Sequence, residues 1–213
     1  MYQSSSSYLG EKKNNLVQAH VLLSQLIKDY PKSSLLPSAK NRIKTIEAKS
    51  LNTQLEKVYP QGENLLTFVD YKNIDEIHFR LYQLDRGGEY ELRNKRQNLY
   101  KELKQKKLIK EWKQELPSFK DFHNHQTEIK VNSLPFGDYV LMTSSGDKFV
   151  EEKDFVKANF FVVSNLSYIS TPVHPNHQMI IMDRVNGNPI NDAKVECYKQ
   201  EYNPTTRKQV FKK

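Results

Sequence analysis

The sequence predicts a mainly β protein with α elements: an antiparallel β-sandwich that carries a long helical insertion and is preceded by a helical hairpin. Three observations indicate this fold class. Apolar residues recur every three or four positions over residues 1–50, every second position in short runs from Leu51 onwards, and only sparsely in the polar segment 87–116. A chain of 213 residues with 37% apolar and 11% aromatic residues is long and apolar enough to bury a core. This composition argues against a disordered protein.

Residues 1–50 are predicted to form the helical hairpin. One helix extends from Glu11 to Tyr30 and ends before Pro31, and a second extends from about Leu36 to Ala48, with Ser33 or Ser34 as its cap. The residues expected on the inner faces are Leu16, Ala19, Leu22, Leu23, Leu26, Ile27, Ala39, Ile43 and Ile46. The pair is similar to the last unit of a tetratricopeptide-like array. Because one hairpin buries little apolar area, it is expected to pack on the rest of the chain or on further repeats.

Residues 51–172 are predicted to form the β-sandwich. The runs "ENLLTFVDYKN" and "DEIHFRLYQLD" are strands joined at residues 72–75, and they either pair antiparallel or belong to different sheets. The run "TEIKVNSLPFGDYVLMTSS" supplies two strands around a turn at 134–137, where Pro and Gly favour a turn. The run "ANFFVVSNLSYIST" is a further strand region. Strands at this spacing, divided by turn residues, are typical of an antiparallel sandwich.

Residues 173–213 are predicted to open a second, incomplete sandwich. Two strands, "HQMIIMDRV" and "AKVECYKQEY", are expected to pair around the turn at 186–189. The remaining residues are too few for a complete sandwich.

The insertion at 87–116 is predicted to be a polar helix with a narrow apolar stripe. The stripe consists of Leu92, Leu99, Leu103, Leu108, Ile109 and Trp112. The basic residues are Arg93, Lys95, Arg96, Lys101, Lys104, Lys106, Lys107, Lys110 and Lys113, against the acidic residues Glu89, Glu91, Glu102, Glu111 and Glu115. Such a helix could grip nucleic acid, with Tyr90, Tyr100 and Trp112 stacking on bases. Interspersed acids instead favour a solvated helix that docks on an edge or face of the sandwich.

Two histidine pairs are candidate metal ligands. His123 and His125 alternate, so on a strand both imidazoles would point the same way and could share a zinc ion. No third ligand is placed by spacing, and a polar loop or strand start explains both residues. His174 and His177 flank Pro175 and are interpreted as part of a linker. The sequence therefore predicts no metal site.

No motif for catalysis is recognised. The stretch Ser144-Ser145-Gly146 is typical of a turn. Glu151, Glu152 and Asp154 belong to a polar loop, where exposure to solvent leaves carboxylates without special reactivity. The only adjacent glycines, Gly87-Gly88, do not make a phosphate-binding loop. The expectation is a protein that is not an enzyme, with no catalytic residue and no cofactor.

The single cysteine, Cys197, stands three residues before Gln200, the separation found in internal thioesters. On a strand, residues three apart point to opposite faces, so the two side chains would not readily form the ring. Cys197 is therefore predicted to be a small buried apolar residue. A lone cysteine also excludes an internal disulfide framework.

Short motifs occur in a consistent order along the chain. They are a Tyr-x-Asn turn at Tyr71, Lys72 and Asn73; an L-P-x-G-x-Y turn at Leu134, Pro135, Gly137 and Tyr139; an F-x-V-S-x-L strand at Phe161, Val163, Ser164 and Leu166; and an opening motif at Asp183, Gly187, Pro189, Ile190, Ala193 and Val195. In this order, over about residues 20–205, the sequence resembles the N-terminal macroglobulin-like domains of bacterial alpha-2-macroglobulin-family proteins, particularly the Bacteroidetes type. The insertion at 87–116 is not part of the minimal domain.

The resemblance implies a scaffold segment of a protease-trapping protein, without a bond-making residue of its own. In such proteins a protease cuts an exposed bait segment and the chain of domains rearranges; some members also attach the protease through a thioester. The implied partners are proteases, which bind the full-length parent, and neighbouring macroglobulin-like domains, with no nucleic acid. Two alternatives stay open: a free-standing adhesion or carbohydrate-binding sandwich, and a nucleic-acid or acidic-surface binder that uses the basic segment 87–116.

Localisation is only weakly constrained by the residues themselves. No apolar run approaches the roughly 20 residues that cross a bilayer, and the N-terminus lacks the basic-then-apolar order of a signal peptide. The protein is therefore either cytoplasmic or an excised piece of an exported one. The family resemblance implies the second, with a parent in the periplasm or at the outer membrane, since the bacterial relatives are often lipoproteins.

Overall fold

The computed structural model describes residues 6–85, 87–89, 92, 99–173, 176–196, 198–203 and 208–212. The chain divides into two compact units, Met1–Val163 and Ser164–Lys213. The division lies earlier than the expected boundary at 172/173, which falls inside a strand of the second unit.

Two helices open the first unit, α1 (Ser6–Asp29) and α2 (Leu36–Glu47). Both predicted helices are therefore present, and α1 ends before Pro31 as expected. Leu22 was placed on the inner face but is 66% exposed, whereas Ala39 and Ile46 of α2 are buried. The predicted serine cap is wrong: the N-cap position is Leu35, whose apolar side chain makes no cap bond. The hydroxyl of Ser33 instead accepts the Leu35 amide within the preceding turn.

The first unit contains a three-stranded and a five-stranded sheet. The strands are β1 (Ser50–Gln54), β2 (Val58–Tyr59), β3 (Leu65–Lys72), β4 (Glu76–Leu84), β5 (Lys107–Glu115), β6 (His125–Val131), β7 (Gly137–Ser144) and β8 (Val156–Val163). The sheet orders are β1-β3-β6 and β2-β8-β7-β4-β5. All neighbouring pairs are antiparallel except β2 with β8. Because β3 and β4 belong to different sheets, the turn between them passes from one sheet to the other.

The core lies between the two sheets. It is built from alternate residues of the facing strands, as the period of two predicts. Its buried members include Leu65, Val69, Tyr71, Ile77, Phe79, Leu81, Ile129, Val131, Tyr139, Leu141, Phe161 and Val163. A buried hydrogen bond of 2.9 Å between the hydroxyls of Thr53 and Thr143 also joins β1 to β7. The mainly β fold class and the sandwich architecture are thus present in the structure.

The outer face of the five-stranded sheet is also covered. A short helix, α3 (Leu99–Leu103), contributes to a second apolar cluster consisting of Tyr82, Leu84, Leu92, Leu103, Val140, Met142 and Phe149, with Leu99 and Tyr100 packed against it. The hydroxyl of Tyr100 donates to the carbonyl of Val156 at 3.0 Å. The first part of the predicted apolar stripe therefore docks on a face of the sandwich, as expected.

The second part of the insertion was predicted wrongly as helix. Residues Lys107–Glu115 form β5, which pairs antiparallel with β4 at the edge of the sheet. Trp112 does not lie on a helical stripe, since its ring stacks on Phe79 with centroids 4.7 Å apart. Pairing with β4 and this stack outweigh the helical preference of the Lys-, Leu- and Glu-rich sequence.

The second unit contains two hairpins. Strand β9 (Leu166–Val173) pairs antiparallel with β10 (Asn176–Asp183), and β11 (Lys199–Asn203) pairs with β12 (Lys208–Lys212). The predicted pairing of β10 with residues 193–202 is wrong, because β10 pairs with β9 and residues 199–203 pair with β12. Among the described residues, the chain after the turn returns along β10 at residues 188–190, through a bridge between Met182 and Pro189 and two backbone hydrogen bonds. The predicted turn after β10 is present, and the Asp183 carboxylate accepts the amides of Val185 and Asn186.

Candidate functional site

A cleft of about 390 Å³ opens where the helical hairpin meets the sandwich, and we call it the junction cleft. It is bounded by the end of α2, by the turn between β3 and β4, and by the segment that precedes β6. Its lining residues are Glu47, Tyr71, Asn73, Ile74, Asp75, Pro117, Ser118, Phe119, Lys120, Asp121, Phe122, His123 and His125.

Hydrogen bonds from the turn after β3 fix the C-terminal end of α2 beside the cleft. The side-chain amide of Asn73 donates to the carbonyls of Ile46 and Ala48 at 2.9 and 3.1 Å, and the ammonium of Lys72 donates to the carbonyl of Thr45 at 3.2 Å. These carbonyls belong to the last turn of a helix, where backbone acceptors lack intrahelical partners. Asn73 adopts φ 53°, a left-handed conformation that asparagine tolerates better than most residues.

Two histidines border the cleft in similar environments. The Nε2 atom of His20 lies 2.8 Å from a Glu47 carboxylate oxygen, and its ring stacks on Phe122 at 4.9 Å between centroids. The Nε2 atom of His125 lies 2.8 Å from Oδ1 of Asp121, and its ring stacks on Phe119 at 4.3 Å. The stack of His20 on Phe122 connects α1 to the segment that precedes β6. The contacts of His125 with Asp121 and Phe119 order that segment against β6.

The segment before β6 has an unusual backbone. Lys120 and Phe122 have φ values of 50° and 61°, which residues with a side chain seldom adopt. The hydroxyl of Tyr71 donates to the carbonyl of Pro117 at 2.8 Å and holds the start of the segment. The left-handed residues and the side-chain bonds together turn the segment so that Phe119 and Phe122 reach different histidines.

The charge of Asp121 is set by its neighbours. Burial acts to raise the pKa of this carboxyl, but the hydrogen bonds from the His125 ring and the His123 amide outweigh burial and hold the pKa below its ordinary value. The pKa of Tyr71 is raised by burial and by the nearby Asp121 charge. The cleft therefore keeps an ionised carboxylate beside a neutral phenol at neutral pH.

The structure brings both histidines of the predicted pair to the cleft. His125 is the first residue of β6 and His123 lies in the loop before it, so the strand-start interpretation fits their positions. Over the described ranges, no group of three or more His, Cys, Asp or Glu side chains is arranged to hold a metal ion.

The serine and carboxylate stretches form a turn and a loop. The Ser144 hydroxyl is buried and accepts the Gly146 amide at 3.1 Å, which agrees with the predicted turn. Glu151 and Glu152 are exposed, and Asp154 accepts the Val150 amide at 2.9 Å. These contacts hold the connection between β7 and β8.

Several predicted residues lie outside the described part of the chain. They are Tyr90, Glu91, Arg93, Lys95, Arg96, His174 and Cys197. Gln200 lies in β11 opposite Phe211, and the burial of Cys197 stays a prediction.

Three of the described lysines of the insertion, Lys107, Lys110 and Lys113, lie on β5. Lys113 pairs with Glu76 at 2.6 Å, Lys107 donates to Gln83 at 3.3 Å, and Lys110 lies 5.3 Å from the ring of Trp112. These lysines therefore interact with neighbouring side chains along one sheet edge.

Sequence reasoning missed the junction cleft. The available signal was the stretch "PSFKDFHNH" at 117–125, which concentrates two phenylalanines, two histidines and an aspartate between strands. The stack of its Phe122 on His20 depends on how the helical hairpin docks, which no local sequence pattern specifies.

The fold defines a mainly β protein built on a two-sheet sandwich with an attached helical hairpin. Among the described residues, no helix is long and apolar enough to cross a membrane. No family model matches the sequence, and no curated protein matches it.

Two of the solved structures to which this chain is similar are the following. One is a native alpha-2-macroglobulin from Escherichia coli spanning domains MG0-NIE-MG1, with a TM-score of 0.45 and 12% identity. The match covers 65% of this chain and 46% of that one, so this chain spans less than half of that structure. The other is the CARDB domain of a Pyrococcus furiosus protein in complex with di-metal ions, with a TM-score of 0.31, 14% identity and coverage of 55% and 88%.

Proposed function

We propose that this chain is a non-catalytic scaffold segment of a bacterial alpha-2-macroglobulin-like, protease-trapping protein. The observation that carries the proposal is that residues of the ordered sequence motifs hold turns and core contacts. The polar side chains of these motifs form hydrogen bonds that fix the backbone, and a domain that transmits a conformational change requires such a rigid backbone.

Three motifs illustrate this use. Asn73 of the first motif clamps the end of α2 through two carbonyls. In the second, the Tyr139 hydroxyl donates to the carbonyl of Pro135 at 3.0 Å, and the ring stacks on Phe161 of the third motif at 5.5 Å. Both rings are 2% exposed, so the turn into β7 is fixed to the centre of the core.

These contacts suit the mechanics of a trap. When a protease cuts the bait segment, the resulting conformational change must be transmitted to the rest of the protein through rigid domains. A sandwich whose turns are fastened to its core, with a hairpin clamped by side-chain and backbone bonds, rotates as a body. In this proposal the partners are proteases, which bind the parent protein, and neighbouring domains, and the parent is exported to the periplasm or the outer membrane.

The test compares this chain with the protein encoded by the whole gene. We expect the 213-residue chain to leave trypsin activity unchanged on both a casein substrate and a small peptide substrate. The whole protein, once cut, should block casein hydrolysis while sparing the peptide, since an enclosing trap excludes only large substrates. Inhibition by the 213-residue chain alone, or a whole protein that leaves casein hydrolysis unaffected, would refute the scaffold proposal.

A further inference from the structure

We infer that the junction cleft binds the guanidinium of an arginine side chain presented by a partner polypeptide. The inference goes beyond the proposed scaffold role. It depends on the charge, the aromatic surface and the size of the cleft.

The charge of the cleft is opposite to that of the chain. The whole chain carries a net charge of +8, yet the residues that line the cleft include three acidic ones, Glu47, Asp75 and Asp121, against one lysine, Lys120, and the histidines His123 and His125. Glu47 is also the last residue of α2, where the helix dipole adds partial negative charge. A cation is therefore the ligand that complements the cleft.

The aromatic surface favours a planar cation. Phe119 stacks one ring face on His125, and its side chain is still 58% exposed, so the opposite ring face is accessible from the cleft. A guanidinium is planar, stacks on aromatic rings and donates two parallel hydrogen bonds to a carboxylate. An ammonium is compact, strongly hydrated and lacks that fork, so the ring and the carboxylates together suit arginine better than lysine.

The carboxylates differ in their availability. Glu47 and Asp121 each lie 2.8 Å from a histidine nitrogen. Asp75 is exposed at the turn between β3 and β4, while its backbone carbonyl accepts the Leu116 amide at 2.8 Å and fixes the turn. A guanidinium that stacks on Phe119 is expected to use Asp75 as its main acceptor.

The size of the cleft indicates one inserted side chain. A volume of about 390 Å³ accommodates a long side chain with its immediate backbone, whereas a folded domain needs a broad, flat contact. The partner we propose is therefore a polypeptide segment that inserts one arginine and contacts the rim with its flanking backbone.

The test uses the 213-residue chain and two peptides, acetyl-Gly-Gly-Arg-Gly-Gly-amide and the same peptide with citrulline in place of arginine. Citrulline keeps the shape and removes the charge. Calorimetric titration is expected to show binding of the arginine peptide, with the citrulline peptide about tenfold weaker or more. Equal affinities, or no binding of the arginine peptide, would overturn the inference.

Variants locate the binding within the cleft. D75N should weaken the arginine peptide about fivefold, and F119L about threefold, because each removes one contact to the guanidinium. D147N, at an exposed carboxylate between β7 and β8, is the matched control and should leave the affinity unchanged. Thermal unfolding of each variant establishes that it is folded, and unchanged affinity in folded D75N and F119L would place the site elsewhere and contradict the inference.

A third ligand, Nα-acetylarginine amide, distinguishes a polypeptide from a small cation. We expect it to bind more weakly than the peptide because it lacks the flanking backbone. If it binds as tightly, the polypeptide part of the inference is wrong. None of these measurements involves a protease, so the outcome is independent of the scaffold proposal.

Discussion

Gly146 shows how closely one residue can be constrained without an unusual backbone. A Cβ atom at this position would lie 2.3 to 2.7 Å from the carboxyl atoms of Asp154, and that carboxylate is held by the Val150 amide. G146A is therefore expected to destabilise the protein by about 1 to 3 kcal/mol, measured by chemical denaturation, because the carboxylate must leave its partner. The D154A variant supplies the control: G146A should cost much less in that background, and an equal cost in both would show that the clash is not the cause.

Asp121 gives the junction cleft a defined response to acid. Its pKa in the folded protein lies below its ordinary value, so the ionised form stabilises the fold above the ordinary pKa of about 3.9, and this contribution is lost as pH falls through the folded pKa. At pH 7, D121N should be less stable than wild type by about 1 to 2 kcal/mol. The two proteins should converge in stability below pH 4. Parallel stability curves from pH 7 to pH 3 would contradict this assignment.

At the residue scale, the sequence predicts types of contact better than partners. The sequence predicts that His123 and His125 lie in a polar loop or at the start of a strand. His125 is the first residue of β6, and His123 lies in the loop before it. The left-handed conformations of Lys120 and Phe122 were not predictable, because neither residue type favours them and only the surrounding contacts impose them. The stack of His20 on Phe122 joins residues a hundred positions apart, which a local pattern does not specify.

At the scale of elements, the side chain of Asn73 in the β3–β4 turn helps to hold the helical hairpin formed by α1 and α2. N73A should remove both bonds to the α2 carbonyls and also place alanine at φ 53°, so we expect a loss of about 2 to 3 kcal/mol and faster hydrogen exchange at the end of α2. N73G removes the same bonds but tolerates the backbone, so its loss should be smaller. If both variants exchange at the wild-type rate in α2, the clamp does not hold the hairpin.

The elements also show where local patterns mislead. The sequence run "LLTFVDYK" predicts the strand β3. In the structure, buried residues alternate strictly with less buried ones along that strand. The segment "KLIKEWKQE" reads equally as a polar helix, and its identity as β5 is decided by the available edge of β4 and the stack of Trp112 on Phe79. Helix propensity is a weak preference of a few tenths of a kcal/mol per residue, and strand pairing overrides it.

For the whole molecule, the two units differ in how they bury apolar surface. The first has a core between its two sheets and a second cluster outside one of them. In the second unit, the β9–β10 hairpin has exposed apolar side chains on both faces, with Leu166 and Tyr168 on one and Ile169 and Ile180 on the other. A two-stranded hairpin is only marginally stable in water, so this surface favours association with further strands.

We therefore expect the 213-residue chain to self-associate as its concentration rises, and we assign the association to this hairpin. Replacing Tyr168 and Ile180 by lysine places a charge on each face, and the double variant should stay monomeric in sedimentation velocity over the range where wild type associates. L22K is the control, since Leu22 is equally exposed on α1 but lies in the first unit. It should associate like wild type. Association that persists in the double variant would show that the β9–β10 hairpin is not the contact, and association that disappears in L22K would assign the contact to the first unit.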